Sequence, residues 1–535
     1  MKKAFLSCAV LALVALAACS LKTVTTGRRG GDALVFRVHF IGTEQLWAGA
    51  ESAKLKELAA LKSSPALREE VLNRLAVLPS FWLADALPQG AVPQTNLFRP
   101  LLDDLLAREC YVDCTAAPEL VVAARVSNER AALWQKNLRA ALTAWKLGTA
   151  ADVKVDAASG WEIKRTGLPG VFRFLRAGEW VVFTAGSGTS ARATEMLASI
   201  KANGRPARPT GAWLDGDVNL ARLDGWLPAL ENFQNLPVAH FSLSNRADYV
   251  RTYATLDFPK AHGWKSEPWQ VPTNAIRDPL VSFLAVRGIA PVLEAFPALR
   301  DLGYKPTPNQ IFGWGYAQLP FQFHYAAPSS NVRPQLKALA PKLEKLVLGA
   351  ERTRYSGTVT WETNSQQVLW RGLPLAAPHL GEMRVGDREY LTLGAFPPMR
   401  STNMMPPELS SALAGRPELV AFDYEITGPR IIHWRQFYQL AEIASRRSLT
   451  PTNFPTEQWL LEVNPKLGES VTELRATSAT QMVLVRKSQV GLNAGELVTL
   501  AHWLESTNFP AFGVFPAQAG RRGPGRPGAP VKSVK

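Results

Sequence analysis

Apolar and polar residues alternate along this chain with two distinct periods. Between residues 51 and 76 the apolar positions recur every three or four residues. Leu55, Leu58 and Leu61 form one stripe, and Leu67, Val71 and Leu75 form the next, behind Ser64-Pro65. Such spacing puts them on one face of a helix, and a serine followed by proline suits a helix start. Residues 120–126 are β-rich instead, and Ser127-Asn128-Glu129-Arg130 then leads into a helical stripe of Trp134, Leu138, Ala141 and Trp145. Residues 472–487 read as a hairpin in which Leu474, Met482, Leu484 and Arg486 alternate. A last helix is predicted from Asn493, with Glu496 three residues on completing a capping box and Leu497, Leu500, Ala501 and Leu504 facing inward.

These signals occur twice in the same order. Gly167-Leu168-Pro169 recurs as Gly372-Leu373-Pro374, and each leads through a charged turn to a strand, at 180–186 and 390–395. Trp213-Leu214-Asp215-Gly216-Asp217 lines up with Phe422-Asp423-Tyr424-Glu425. The β run and Ser127-Asn128 find a counterpart in Phe321, Phe323 and Tyr325 followed by Ser330-Asn331, then in a helix carrying Leu336, Leu339, Leu343 and Leu346. The offset drifts slowly, as loop insertions make it do. The expected fold is α+β: two tandem related repeats, each mainly antiparallel sheet with packed amphipathic helices, because short connections leave little room for parallel crossovers. Repeat one is read as 33–262, a linker as 263–274 around Trp264 and Trp269, and repeat two as 275–510. Residues 517–535 hold Gly, Pro and cations without periodicity and are expected to be a disordered basic tail.

With 535 residues and 47% hydrophobic content the chain can bury a large core. Its formal charge of +15 includes Lys2 and Lys3 and the tail cations Arg521, Arg522, Arg526, Lys532 and Lys535, and without these the body carries +8. That modest excess does not call for nucleic acid. The chemistry-bearing motifs are absent: no Gly-x-Ser-x-Gly elbow, no Ser-x-x-Lys, no phosphate loop, no dinucleotide fingerprint. Seven histidines (His39, His240, His262, His324, His379, His433 and His502) stand singly, so no catalytic residue and no cofactor is assigned. Asp215, Asp217 and Asn219 are weak calcium candidates. Leu220 stands where such a loop needs glycine, and Trp226 where it needs a bidentate glutamate. A strand showing alternate acids to water explains them without an ion. The 16 tryptophans fall largely at helical or strand spacing among aliphatic residues, which assigns them to core packing.

The N-terminus is more specific. Met1-Lys2-Lys3 precedes an apolar run from Ala4 to Ala18, too short for a comfortable membrane span, which closes on Leu16-Ala17-Ala18-Cys19. This stretch resembles bacterial lipoprotein precursors. The resemblance implies a signal peptide over 1–18, cleavage before Cys19, lipid attachment (palmitate among the chains) to Cys19, and a lipidated tether over 19–32. Three chains hold far more firmly than one, since each buried CH₂ contributes about 0.8 kcal/mol. Ser20, where the family's retention signal would be aspartate, implies the outer membrane, facing the periplasm. The body resembles, faintly, large uncharacterised exported bacterial proteins with duplicated helix-and-strand domains, and no site is carried over from them. In an oxidising compartment Cys110 and Cys114 are candidates for a small disulfide loop if they lie on a turn.

The expected function is a non-catalytic binding or scaffolding role at the cell envelope, held to the membrane through Cys19. Its partner would be an envelope protein, lipid or cell-wall polymer, with no nucleic acid. One alternative is a carrier or chaperone for an apolar ligand such as lipid. Another is an envelope hydrolase whose site is assembled from residues distant in sequence.

Overall fold

A computed structural model describes residues 34–83, 87–116, 119–165, 170–186, 191–223, 228–246, 248–317, 322–349, 355–373, 376–396, 403–444, 453–506 and 509. Cys19 with its signal and tether, Gly167-Leu168-Pro169, Pro374 and the 517–535 tail lie outside the described residues. The protein is mixed α and β, with twenty strands in one antiparallel sheet among the described residues and helices packed on both faces.

The first ten strands are β1 (Leu34–Phe40), β2 (Cys110–Thr115), β3 (Glu119–Arg125), β4 (Ala150–Val155), β5 (Ala158–Lys164), β6 (Val171–Ala177), β7 (Trp180–Gly186), β8 (Leu214–Asn219), β9 (Val238–Arg246) and β10 (Tyr249–Asp257). β4, β5, β6 and β7 form a meander whose last strand pairs with β3. From β3 the sheet continues through β2, β1, β8 and β9 to β10. The next ten are β11 (Leu280–Arg287), β12 (Gln310–Tyr316), β13 (Phe323–Ser329), β14 (Thr358–Glu362), β15 (Gln367–Arg371), β16 (His379–Val385), β17 (Arg388–Gly394), β18 (Leu419–Ile426), β19 (Glu469–Ala476) and β20 (Gln481–Ser488). Their pairings follow the same scheme: β14 through β17 to β13, then β12, β11, β18, β19 and β20. The two sets meet where β10 pairs antiparallel with β20, Val250 opposite Ser488 and Asp257 opposite Gln481.

Two helix positions also correspond. Asn128–Ala144 lies between β3 and β4 and Val332–Leu348 between β13 and β14, each of 17 residues. Ser127 caps the first by accepting from the Arg130 N–H. Ala191–Asn203 precedes β8, and the shorter Pro407–Leu413 precedes β18. The larger helical excursions do not correspond. In the first half they follow β1, including Ser64–Ala76 and Thr95–Ala107. In the second they follow β18, as Thr427–Ala444 and Pro455–Val463, and a further helix Ala494–Glu505 comes after β20. That last helix carries the capping box expected at Asn493 and Glu496.

The two excursions pack into one core. Leu67, Val71, Leu72 and Leu75 share a buried cluster with Trp459, Leu460, Val463, Leu497 and Trp503, together with Phe36, Val38 and Phe40 of β1. Trp459 Nε1 donates to Ser64 Oγ at 3.1 Å, and the Glu462 carboxylate accepts from the Lys62 and Ser63 backbone N–H groups at 2.8 and 2.7 Å. A helix of the first half is therefore capped by a residue of the second.

Cys110 and Cys114 are buried and not bonded to each other, which corrects the expected disulfide. Both lie on β2 with no turn between them, and four residues of strand separate their Cα atoms by about 13 Å. A disulfide tolerates at most about 7 Å.

Candidate functional site

Three strands at the centre of the first half alternate apolar with charged residues. On β1, Phe36, Val38 and Phe40 face the helical core while Arg37 and His39 face the other way. Tyr111 and Asp113 of β2 stand opposite His39 and Arg37, and Asp215 and Asp217 of β8 stand opposite them on the other side. In a pleated sheet directly opposed residues share a face, so cations of one strand meet carboxylates of two.

His39 is the centre of this cluster. Its Nδ1 lies 2.9 Å from Asp215 Oδ2 and its Nε2 3.3 Å from Glu109 Oε1, and its ring stacks on Tyr111 at 4.3 Å between centroids. The Tyr111 hydroxyl donates to the same Glu109 oxygen at 3.2 Å, and Thr210 donates to Asp215 at 2.7 Å. His39, Glu109 and Tyr111 are all buried, beneath helix Ala191–Asn203. Burial acts to lower the pKa of His39, but its hydrogen bonds to Asp215 and Glu109 outweigh that and raise it. Burial acts to raise that of Glu109, and His39 and Arg205 bring it below its ordinary value. Arg37 donates to both oxygens of the fully buried Asp113 at 3.1–3.3 Å. When protonated, this ring donates from both nitrogens to carboxylates and has no lone pair left for a base.

The second half builds a different cluster on the opposite face. Asp423 and Glu425 of β18 point towards helices Thr427–Ala444 and Ala494–Glu505. Glu425 Oε1 accepts from the Ala494 backbone N–H at 2.8 Å, at the start of the second helix. Ser282 and Ser470 flank Glu425 in register, and Ser488 follows Ser470 in line on β20. Burial, and then the charge of Asp423, push Glu425 up to about 7. Arg486 of β20 donates to Glu496 at 2.6 and 3.0 Å and to Thr472 at 2.8 Å. The Ser470 and Ser488 hydroxyls and His433 Nδ1 are buried without a hydrogen-bond partner among the described residues.

The calcium candidates are placed by the same geometry. Asp215, Asp217 and Asn219 lie on strand β8, not on a loop that curls about an ion. Asp215 is taken by His39 and Thr210, and Asp217 by His240 Nδ1 at 2.6 Å. The acids therefore face histidines across the sheet, where alternation alone suggested water. Among the described residues no group of three or more His, Cys, Asp or Glu side chains is arranged to hold a metal. Of the remaining histidines, His324 stacks on Trp314, and burial lowers its pKa to about 4. The His39 cluster left a readable trace in three strands alternating apolar with polar or charged residues: Arg37/His39, Tyr111/Asp113 and Asp215/Asp217.

An open depression of about 680 Å³ lies on helix Asn128–Ala144, lined by Gln135, Lys136, Arg139, Ala140 and Thr143 among others. No helix among the described residues is long and apolar enough to cross a membrane. No family model and no curated protein matches the chain. Among solved structures, "Structure of crystal form I of TP0453" is similar at 12% identity over 43% of this chain and 77% of that one, with a TM-score of 0.23. A likeness that low carries no argument about fold or function.

Proposed function

We propose that this is a lipid-anchored envelope protein with a binding or scaffolding role and no catalytic one, tethered through Cys19 to the outer membrane and facing the periplasm. The observation that carries the reading is Leu16-Ala17-Ala18-Cys19 closing an apolar run behind Met1-Lys2-Lys3. The body is a duplicated pair of related halves in this reading. Support comes from the strand pairing that β1–β10 and β11–β20 share and from the corresponding 17-residue helices. The absence of a catalytic role draws support from His39, whose two ring nitrogens are both engaged by carboxylates.

The test is Cys19→Ser expressed in a two-membrane bacterium fed labelled palmitate. Label is expected in the wild-type chain and lost in the variant, which should accumulate at higher mass with its signal uncleaved. Equal label and equal mass of the two chains would overturn the reading.

A further inference from the structure

The seam between the two halves carries a charge arrangement that folding alone does not favour. On β9, β10 and β20, the side chains of Ser242, Ser244, Arg251, Tyr253, Val485 and Lys487 share one face, and none of them belongs to a buried core cluster. Arg251 stands directly opposite Lys487 across the seam and opposite Ser244 on its other side. Like charges so placed repel, their Cβ atoms being about 5 Å apart. Arg246, exposed on the same face at the end of β9, adds a third cation.

No ion pair or side-chain hydrogen bond involves any of these three cations among the described residues. The acids that share this face on β19 are engaged elsewhere. Glu473 pairs with Arg416 and Arg475, and Glu469 accepts from the Tyr424 hydroxyl at 3.2 Å. Charges one step along the same strands are matched, His240 lying between Asp217 and Asp257. The mismatch is thus confined to one spot. There the cations rest on aromatic rings: Arg251 lies 5.7 Å from the Tyr253 centroid and Lys487 5.6 Å from that of Tyr249. Such contacts hold each head near the ring face with its donors free towards solvent.

We propose that Arg246, Arg251 and Lys487 form a binding site for the phosphate groups of anionic lipid headgroups. A guanidinium fork takes phosphate oxygens two at a time, a neighbouring ammonium adds a point charge, and the Ser244 hydroxyl supplies a further donor. A bound phosphate also supplies the negative charge that this cross-strand pair lacks. A local rule broken without compensation inside the fold is what a binding site leaves behind. The choice of lipid as the phosphate source rests on the membrane reading above, whereas the charge argument does not.

The test uses the chain without residues 1–19, so that neither the apolar N-terminal run nor an acyl anchor contributes, with co-sedimentation on phosphatidylglycerol and on phosphatidylcholine vesicles. Binding is expected on the anionic vesicles alone and should weaken with added salt. Adding Arg251→Gln and Lys487→Gln should weaken it roughly 30-fold, as removal of two basic residues from an anionic surface does. The melting temperature should stay level or rise, because the repulsion is relieved. Arg300→Gln, at an exposed cation away from the seam, should change neither. Equal binding to both vesicles, unchanged affinity in the double variant, or a fallen melting temperature would overturn the proposal. Full competition by millimolar inorganic phosphate would assign the site to free phosphate and overturn the lipid source. Because the chain tested lacks the anchor, these outcomes are independent of the Cys19 labelling result.

Discussion

Against helix Ala191–Asn203 the first half sets Arg37, His39, Tyr111, Asp113, Asp215 and Asp217. Helix Pro407–Leu413 occupies the same place between the seventh and eighth strands of the second half, and there the facing residues are Phe283, Ala285, Phe312, Trp314 and Phe422. On the reverse face the roles exchange. Phe36, Val38 and Phe40 meet the helical core in the first half, while Ser282, Asp423 and Glu425 lie beneath helices in the second. The same strand pairing thus carries opposite polarity across the sheet in the two halves. Backbone ladders are indifferent to which face is apolar, and what lies on each face decides it. The number of covering helices does not set the polarity, since the apolar face meets several helices in the first half and the single helix Pro407–Leu413 in the second; a buried charge needs a partner on either face.

The strongest way to break that contrast is to give the first half the second half's residue type. His39→Phe leaves the buried Glu109 and the half-buried Asp215 without the imidazole between them, and should cost about 2–4 kcal/mol in urea unfolding at pH 6. Adding Glu109→Leu and Asp215→Leu should restore most of the loss, because an apolar face of matching volume replaces the charge cluster. A neutral single variant would show that the cluster is not held as an ion pair. The pH dependence has a fixed sign. The folded pKa of His39 is raised above its ordinary 6.5, so its contribution is complete below that value and is lost as pH rises through the folded pKa.

The second half should respond at the other charge state. Glu425 titrates near 7, and its native form is favoured protonated, so between its ordinary 4.5 and about 7 the folded state loses stability as pH rises. Glu425→Gln keeps an oxygen to accept from the Ala494 N–H and removes the ionisation. The variant should be more stable than the wild type at pH 8, on the order of 1–3 kcal/mol, and close to it at pH 4.5. Thermal melts at the two pH values measure this. A variant less stable at pH 8 would mean that Glu425 is charged and compensated, and that the polar faces of the two halves work alike.

Much of the chain's local structure is legible because its signals are local. The Asn493–Glu496 capping box, the stripe on residues 128–144 and the corresponding helix 332–348 need only a few neighbouring residues to read. The exchange of faces is not legible that way. Lining up Asp215 and Asp217 with Asp423 and Glu425 is wrong in facing by a single position, since a one-residue shift turns every side chain to the other surface. Against the helix before the strand, Phe422 and Tyr424 stand in the place of the two aspartates. The His39 cluster was half legible. Each strand's alternation is visible, but which strands lie side by side depends on a pairing between β1 and β8 some 180 residues apart. The cysteines failed for the same reason, since spacing alone does not say whether four residues turn or extend.

The smallest expected effect tests how far the halves are one unit. Glu462 reaches from the second half to the Lys62 and Ser63 N–H groups at the start of helix Ser64–Ala76, and hydrogen bonds from Ser63 lower its pKa. A carboxylate there both satisfies unpaired donors and meets the positive end of the helix. Glu462→Ala should cost about 1 kcal/mol near neutral pH. The loss should shrink as pH falls through the folded pKa, because a depressed carboxyl pKa contributes only above its ordinary value. Unfolding should remain a single transition, since Trp459 still fills the shared core and bonds Ser64. Two separable transitions in the variant, read by far-ultraviolet circular dichroism and tryptophan fluorescence, would mean that the cap itself couples the halves. A single transition with no loss would mean that the core alone does.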